Sequence, residues 1–198
     1  MSRYARDTIH AIILAGGRSS RMGSDKARLE INGETLLDRL VRLLSPLFNG
    51  ILISASSNTS LTNNALRHVI DEQPDRGPLM AIYSCLKASP SNINFVIACD
   101  IPEVDIALIQ KLLFYANEHD IVVPSFSTGL TEPLFAFYNR SILPVIQRQI
   151  AVNRLKISDC FPLCNTRIVM TSDTGWYRNL NTPIQFDAYK NNVQVKLA

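Results

Sequence analysis

Gly16 and Gly17 stand side by side in the segment Leu14-Ala15-Gly16-Gly17-Arg18-Ser19-Ser20-Arg21-Met22-Gly23-Ser24-Asp25-Lys26, and Arg18, Arg21 and Lys26 follow within nine positions. Adjacent glycines let the backbone approach a ligand closely, adopt positive φ and turn amides toward phosphate oxygens. Three cations on such a turn suit a polyphosphate. The competing reading is a solvated Gly-rich turn with incidental charges. The spacing is neither the G-x-x-x-x-G-K-[ST] of a P-loop nor the G-x-G-x-x-G of a dinucleotide-binding turn.

A second chemical signal is Asp100, directly after the apolar run 94–98 and two residues before Pro102. A carboxylate in that loop is a hard oxygen ligand suited to Mg²⁺, which uses one or two carboxylates and keeps several waters. The alternative, a cap for the helix expected near 105, is better served by Asp105. Asp71 follows another strand-like run, where turn chemistry alone also favours Asp. His10, His68 and His119 form no Ser/His/Asp pattern. Cys160 and Cys164 are four apart, which raises a metal or redox pair against the commoner reading of buried thiols.

The elements that must position these residues alternate. Strands are expected at 8–14, 50–55, 68–70, 94–98, 120–124, 134–138 and 167–171, and helices at 35–47, 77–87, 105–117, 141–150, 154–160 and 183–190. The connection between the second and third strands carries some helical character. Leu36, Leu37, Leu40, Leu43, Leu44 and Leu47 give the first helix its apolar face. Gly77-Pro78 opens the second, since Pro is tolerated in a first turn. Strand-helix alternation requires crossovers and so a mainly parallel sheet covered on both faces. The expected class is α/β, a three-layer α/β/α sandwich whose later strands make the sheet mixed. Ligands of such sheets collect beyond the carboxyl ends of the strands, where the loop 15–26, Ser54, the loop 71–77 and Asp100 all fall.

The chain has 198 residues, which suits a single domain over 1–198. Its 46% apolar and 19% charged residues are those of an ordinary globular protein. A net charge of +3 arises from dispersed Lys and Arg without a basic arm, so no nucleic-acid partner is expected. No apolar stretch approaches the ~20 residues of a membrane-spanning helix. The amino-terminal residues lack a signal-like apolar region, and a cytoplasmic location is expected.

The thirteen-residue segment 14–26 resembles the nucleotidyltransferase signature L-A-G-G-x-x-x-R-M-G-x-D-K at every specified position. Further pieces follow in family order: Asp71 with Gly77-Pro78-Leu79, then Ala98-Cys99-Asp100-Ile101-Pro102, Glu132-Pro133-Leu134-Phe135-Ala136-Phe137-Tyr138 and Asn179-Leu180-Asn181-Thr182-Pro183. Together they resemble the molybdenum cofactor guanylyltransferase family over about residues 8–190. The resemblance implies a Rossmann-like nucleotidyltransferase fold and transfer of GMP from GTP to the molybdenum cofactor (Mo-molybdopterin). The products are pyrophosphate and molybdopterin guanine dinucleotide, with Mg²⁺ as cofactor and other cofactor-biosynthesis or molybdoenzyme-maturation proteins as partners.

Carried over residue by residue, the resemblance assigns Leu14, Ala15, Gly16, Gly17, Lys26, Ser54, Asp71, Gly77, Pro78, Leu79 and Asp100 to the nucleotide. It assigns Arg21, Lys26 and Asp100 to catalysis, Asp100 also to the metal, and Pro133, Asn179 and Asn181 to the acceptor. Asn181-Thr182-Pro183 reads equally as a helix start. Ser54 stands where family members often carry Asn, Ala81 where they carry Gly, and Ile184-Gln185 where they carry Glu-Asp. CTP with the same pterin, a sugar phosphate acceptor, and a catalytically idle nucleotide-binding protein therefore remain alternatives.

Overall fold

Strand β1 (His10–Leu14) buries four of its five residues and β6 (Ile93–Ala98) all six. Such continuous apolar runs belong to strands with both faces covered. The computed structural model describes residues 8–15, 29–55, 66–126, 129–172, 180 and 182–195. Five further strands, β4 (Gly50–Ala55), β5 (Arg67–Ile70), β7 (Ile121–Ser125), β8 (Phe135–Asn139) and β9 (Thr166–Met170), complete a seven-stranded sheet of order β5-β4-β1-β6-β8-β7-β9. β1 pairs in parallel with β4 and β6, β4 with β5, and β7 with β9; β8 alone runs against its neighbours. The expected mixed, mainly parallel sheet is thus observed.

Alternation along β1 sends side chains to two cores. Ala11 and Ile13 face the layer of α1 (Leu36–Leu44) and α3 (Ile106–Ala116), whereas Ile12 and Leu14 face that of α2 (Gly77–Ala88) and α4 (Leu143–Ala151). Phe95 on β6 anchors the first core: its ring centroid lies 5.4 Å from Phe48, 4.9 Å from Phe135 and 5.2 Å from Phe137. A third, small cluster of Ile31, Leu36, Leu180 and Phe186 joins α5 (Pro183–Val195) to the start of α1.

Local chemistry sets the boundaries. Thr35 caps α1 by accepting the Asp38 amide at 3.0 Å, and Asp105 caps α3 by accepting that of Leu108 at 2.9 Å. α1 ends at Leu44 rather than running to 47, because Pro46 lacks the amide that would continue it. The helix expected over 154–160 is instead a 3-10 segment, Ile157–Leu163, that contains Pro162. The helix expected from 141 begins with a 3-10 turn, Arg140–Ile142, and becomes α-helical at Leu143 beside Pro144. α5 runs beyond 190 to Val195. One element was not anticipated: a hairpin of β2 (Glu30–Ile31) and β3 (Glu34–Thr35). Its turn is Asn32-Gly33, with φ of 54° and 79°. Positive φ at both central residues is the hairpin geometry that Asn-Gly favours. The connection 56–65 lies outside the described residues.

Candidate active site

The register brings three strands to a common carboxyl end. Leu14 lies opposite Ser54 on one side and Ala98 on the other. One step further, the Ala15 amide donates to the Ser54 carbonyl at 3.0 Å, and the Cys99 amide donates to the Leu14 carbonyl at 3.1 Å. The chain therefore leaves the sheet at Ala15 between the two strands that carry Ser54 and Asp100. It is next described at Leu29, whose carbonyl accepts the Leu36 amide at 2.9 Å. Leu14 and Ala15 are buried, so what they offer a ligand is main chain. Gly16, Gly17, Arg18, Arg21 and Lys26 lie outside the described residues.

Asp71 follows β5, whose Ile70 pairs with Ala55 of β4. The Ser54 hydroxyl donates to Asp71 Oδ1 at 3.0 Å, and Ser54 itself is fully buried. Burial pushes the half-buried Asp71 carboxyl above its ordinary range, and the Ser54 hydrogen bond pulls it partly back. Ser54 thus acts on the site through Asp71. Beyond Asp71 the loop holds Asp75 and Gly77 at φ of 62° and 70°. Gly77 and Pro78 are exposed, whereas the Leu79 side chain enters the core under α2. The first turn of α2 has no side-chain cap.

Asp100 is half-buried in a turn closed by the Ile101 amide donating to the Ala98 carbonyl at 3.1 Å. Its own carbonyl accepts the Leu180 amide at 2.9 Å. Since Asp105 caps α3, the capping alternative for Asp100 is closed. The bond to Leu180 brings the segment around 180 to this turn; Asn179 and Asn181, its sequence neighbours, lie outside the described residues. Pro133 is half-buried at the start of β8, its carbonyl accepting the Tyr138 hydroxyl at 2.7 Å.

Glu132 was not singled out from the sequence. It precedes a strand instead of following one, and only the reversal of β8 brings it to this end of the sheet, where Phe135 pairs with Ile97. Burial pushes its carboxyl above the ordinary range, the Leu134 amide draws it back, and the charge of Asp100 adds to the upward push. Its sequence signal is the Glu of E-P-L-x-A-x-Y.

A cavity of about 420 Å³ opens at the opposite, amino-terminal end of β1, β4 and β5, against His10, Phe48, Asn49, Gly50 and Arg67. Among the described residues no carboxylate lines it. The chemistry-bearing residues are at the other end, the one where ligands of such sheets bind. Cys160 is buried and Cys164 half-buried, both as free thiols, and no group of three metal-ligating side chains occurs among the described residues. Burial raises the Cys160 thiol to about 11, which makes it unreactive at neutral pH. No helix among the described residues is long and apolar enough to cross a membrane.

Residues 11–157 match the MobA-like NTP transferase domain family. The chain belongs to that family. It is therefore a nucleotidyltransferase, and the family's characteristic fold is the one seen here. Among curated relatives, a "probable molybdenum cofactor guanylyltransferase" of Pelotomaculum thermopropionicum is 31% identical over 180 residues, covering 87% of each chain. Among solved structures, molybdopterin-guanine dinucleotide biosynthesis protein A of Archaeoglobus fulgidus superimposes with a TM-score of 0.76 at 20% identity. The match covers 93% of this chain and 98% of that one. A manganese complex of a Mycobacterium tuberculosis protein superimposes with a TM-score of 0.66 at 13% identity, over the same shares. At these identities the structural matches establish a shared fold.

Proposed function

We propose that this MobA-like transferase moves GMP from GTP to the molybdenum cofactor in the cytoplasm, releasing pyrophosphate and forming molybdopterin guanine dinucleotide, with Mg²⁺ held at Asp100. The observation that carries the reading is the lateral order of the site. Asp71, Ser54, Ala15, Asp100 and Pro133 follow one another across the strand ends β5, β4, β1, β6 and β8. Asp71 and Asp100 lie three strand steps apart, about 14 Å at ~4.8 Å per step. That span suits one extended ligand, with the base toward Asp71 and the phosphates over β1 and β6. The acceptor would enter from the side of Pro133, Asn179 and Asn181. The guanylyltransferase name of the Pelotomaculum relative supports the choice of base and acceptor.

The acceptor phosphate oxygen attacks the α-phosphorus and pyrophosphate departs. A phosphate nucleophile is ionised near neutral pH, so no strong base is required. Arg21 and Lys26 hold the triphosphate and balance charge developing on the leaving group, and the Asp100 carboxylate would hold the divalent ion. Mg²⁺, when bound, supplies Lewis-acid stabilisation of the phosphate oxygens. A carboxylate is a fitting donor for this hard cation, and the manganese complex of the Mycobacterium protein supports a divalent ion in this fold.

The test is pyrophosphate release by the purified protein with molybdenum cofactor and Mg²⁺, measured with each of the four triphosphates. GTP should support turnover above the others. Removing Lys26 or converting Asp100→Asn should lower kcat by about 100- to 1000-fold, the loss typical of one preorganised contact. Preference for CTP would move the assignment to the cytidylyl alternative. Nucleotide binding without any pyrophosphate release would make the protein an idle binder.

A further inference from the structure

Glu132 is held more firmly than a surface carboxylate would be. Its amide donates to the Pro124 carbonyl at 3.1 Å and its carbonyl accepts the Phe135 amide at 3.2 Å. One carboxylate oxygen, Oε1, accepts the Leu134 amide at 3.0 Å. The Leu134 carbonyl in turn accepts the amide of Ala98, two residues before Asp100. A short chain of backbone hydrogen bonds therefore fixes Glu132 relative to the Asp100 turn. No hydrogen bond to its second oxygen, Oε2, occurs among the described residues.

Ile97 pairs with Phe135 and the Ala98 amide reaches the Leu134 carbonyl, so the β6-β8 ladder carries Asp100 and Glu132 to the same end of the sheet. Two carboxylates brought together at partly buried strand ends destabilise the protein that carries them, unless something positive lies between. Among the described residues no Lys or Arg forms an ion pair with Glu132. The Leu134 amide would be satisfied equally by a neutral carbonyl oxygen. A carboxylate fixed by backbone hydrogen bonds at the same strand ends as a second one is therefore best explained by its ligand.

We propose that Glu132 is the second carboxylate of the divalent-ion site, binding the ion directly or through its water shell together with Asp100. The inference rests on the Asp100 metal reading above and adds a residue to it. Mg²⁺ commonly uses one or two carboxylates and retains waters, which matches one oxygen of Glu132 engaged with the backbone and the other available. The reversed strand β8 has a function in this arrangement. Of the seven strands, it is the one that can deliver a residue preceding it to the carboxyl end.

The experiment measures Mn²⁺ binding by the loss of the free-ion paramagnetic resonance signal, with and without GTP, in wild type, Glu132→Gln and Asp100→Asn. Glu132→Gln keeps the acceptor for Leu134 and removes only charge. It should weaken Mn²⁺ binding by about 10- to 100-fold, the range seen when groups supporting a metal site are altered. Its ion-free melting temperature should equal or exceed that of wild type, and Mn²⁺ should raise that temperature less. Glu132→Asp, which keeps the charge but withdraws it by one methylene, should fall between, and decides the matter if the Gln variant folds poorly. Unchanged Mn²⁺ affinity in Glu132→Gln with loss in Asp100→Asn would overturn this inference and leave the Asp100 reading standing. Unchanged affinity in both variants, or no binding by wild type, would overturn both.

Discussion

The Ser54 hydroxyl, wholly buried at the end of β4, donates to Asp71 Oδ1 at 3.0 Å and so ties together two loops on neighbouring strands. This bond fixes one oxygen of Asp71 and leaves its orientation determined by the sheet. Ser54→Ala should cost about 1 to 2 kcal/mol of folding stability, the usual consequence of removing one partner of a buried bond to a charged group. It should also raise the Kd for GTP while kcat changes little, because Asp71 would be less well aimed. Urea melts and nucleotide titrations read the two effects separately. A KM for GTP equal to that of wild type would show that Ser54 serves packing alone.

The raised carboxyl of Asp71 makes a pH prediction whose sign is opposite to that of a salt-bridged carboxylate. With the folded pKa above the unfolded one near ~3.9, the folded state holds more protons between the two values. Stability from this group is present below that window and lost as pH rises through it. The urea midpoint of Asp71→Asn, relative to wild type, should therefore increase from pH ~4 upward and level off once the folded carboxyl has ionised. A difference that shrinks with rising pH would contradict the burial of this carboxylate.

Asp100 and Asp105 are five positions apart and have separable duties. Asp105→Ala removes the acceptor for the Leu108 amide and should lower stability by about 1 kcal/mol, with kcat unchanged at a temperature where the variant is folded. Asp100→Asn should do the reverse, with little effect on the melt and severe loss of pyrophosphate release. Equal activity losses in the two variants would mean that the α3 cap, and not the Asp100 carboxylate, governs the site.

Asp71, Asp100 and Ser54 were legible in the sequence because each follows or ends an apolar run, and parallel strands put their ends together. Glu132 was not, since its position depends on β8 running backwards, which no local pattern of residues 134–138 announces. The same locality explains the boundaries. Asp105 and Thr35 advertise helix starts through their own side chains. The end of α1 at Leu44 hinges on Pro46 inside an otherwise helical pattern, and the 3-10 segment Ile157–Leu163 contains Pro162, just beyond the expected helix. The Asn32-Gly33 hairpin carried a clear signal in its turn dipeptide, but its two-residue strands are too short to show alternation. What brings residue 180 to Asp100 is tertiary: a four-residue apolar cluster and one backbone hydrogen bond.

That cluster allows a last prediction. Leu180 is buried with Ile31, Leu36 and Phe186, and its amide donates to the Asp100 carbonyl. Leu180→Ala removes apolar contact where few neighbours can close the gap, and buried Leu→Ala changes cost about 2 to 5 kcal/mol. The small size of the cluster argues for the lower end of that range. The loss should also be local, since the two large cores do not include residue 180. Hydrogen exchange should accelerate in α5 and in the β2-β3 hairpin, while β1 and β6 remain protected as in wild type. If the acceptor is held by residues adjoining Leu180, its KM should rise more than that of GTP. Uniform acceleration of exchange across the sheet would show instead that α5 unfolds only with the whole molecule.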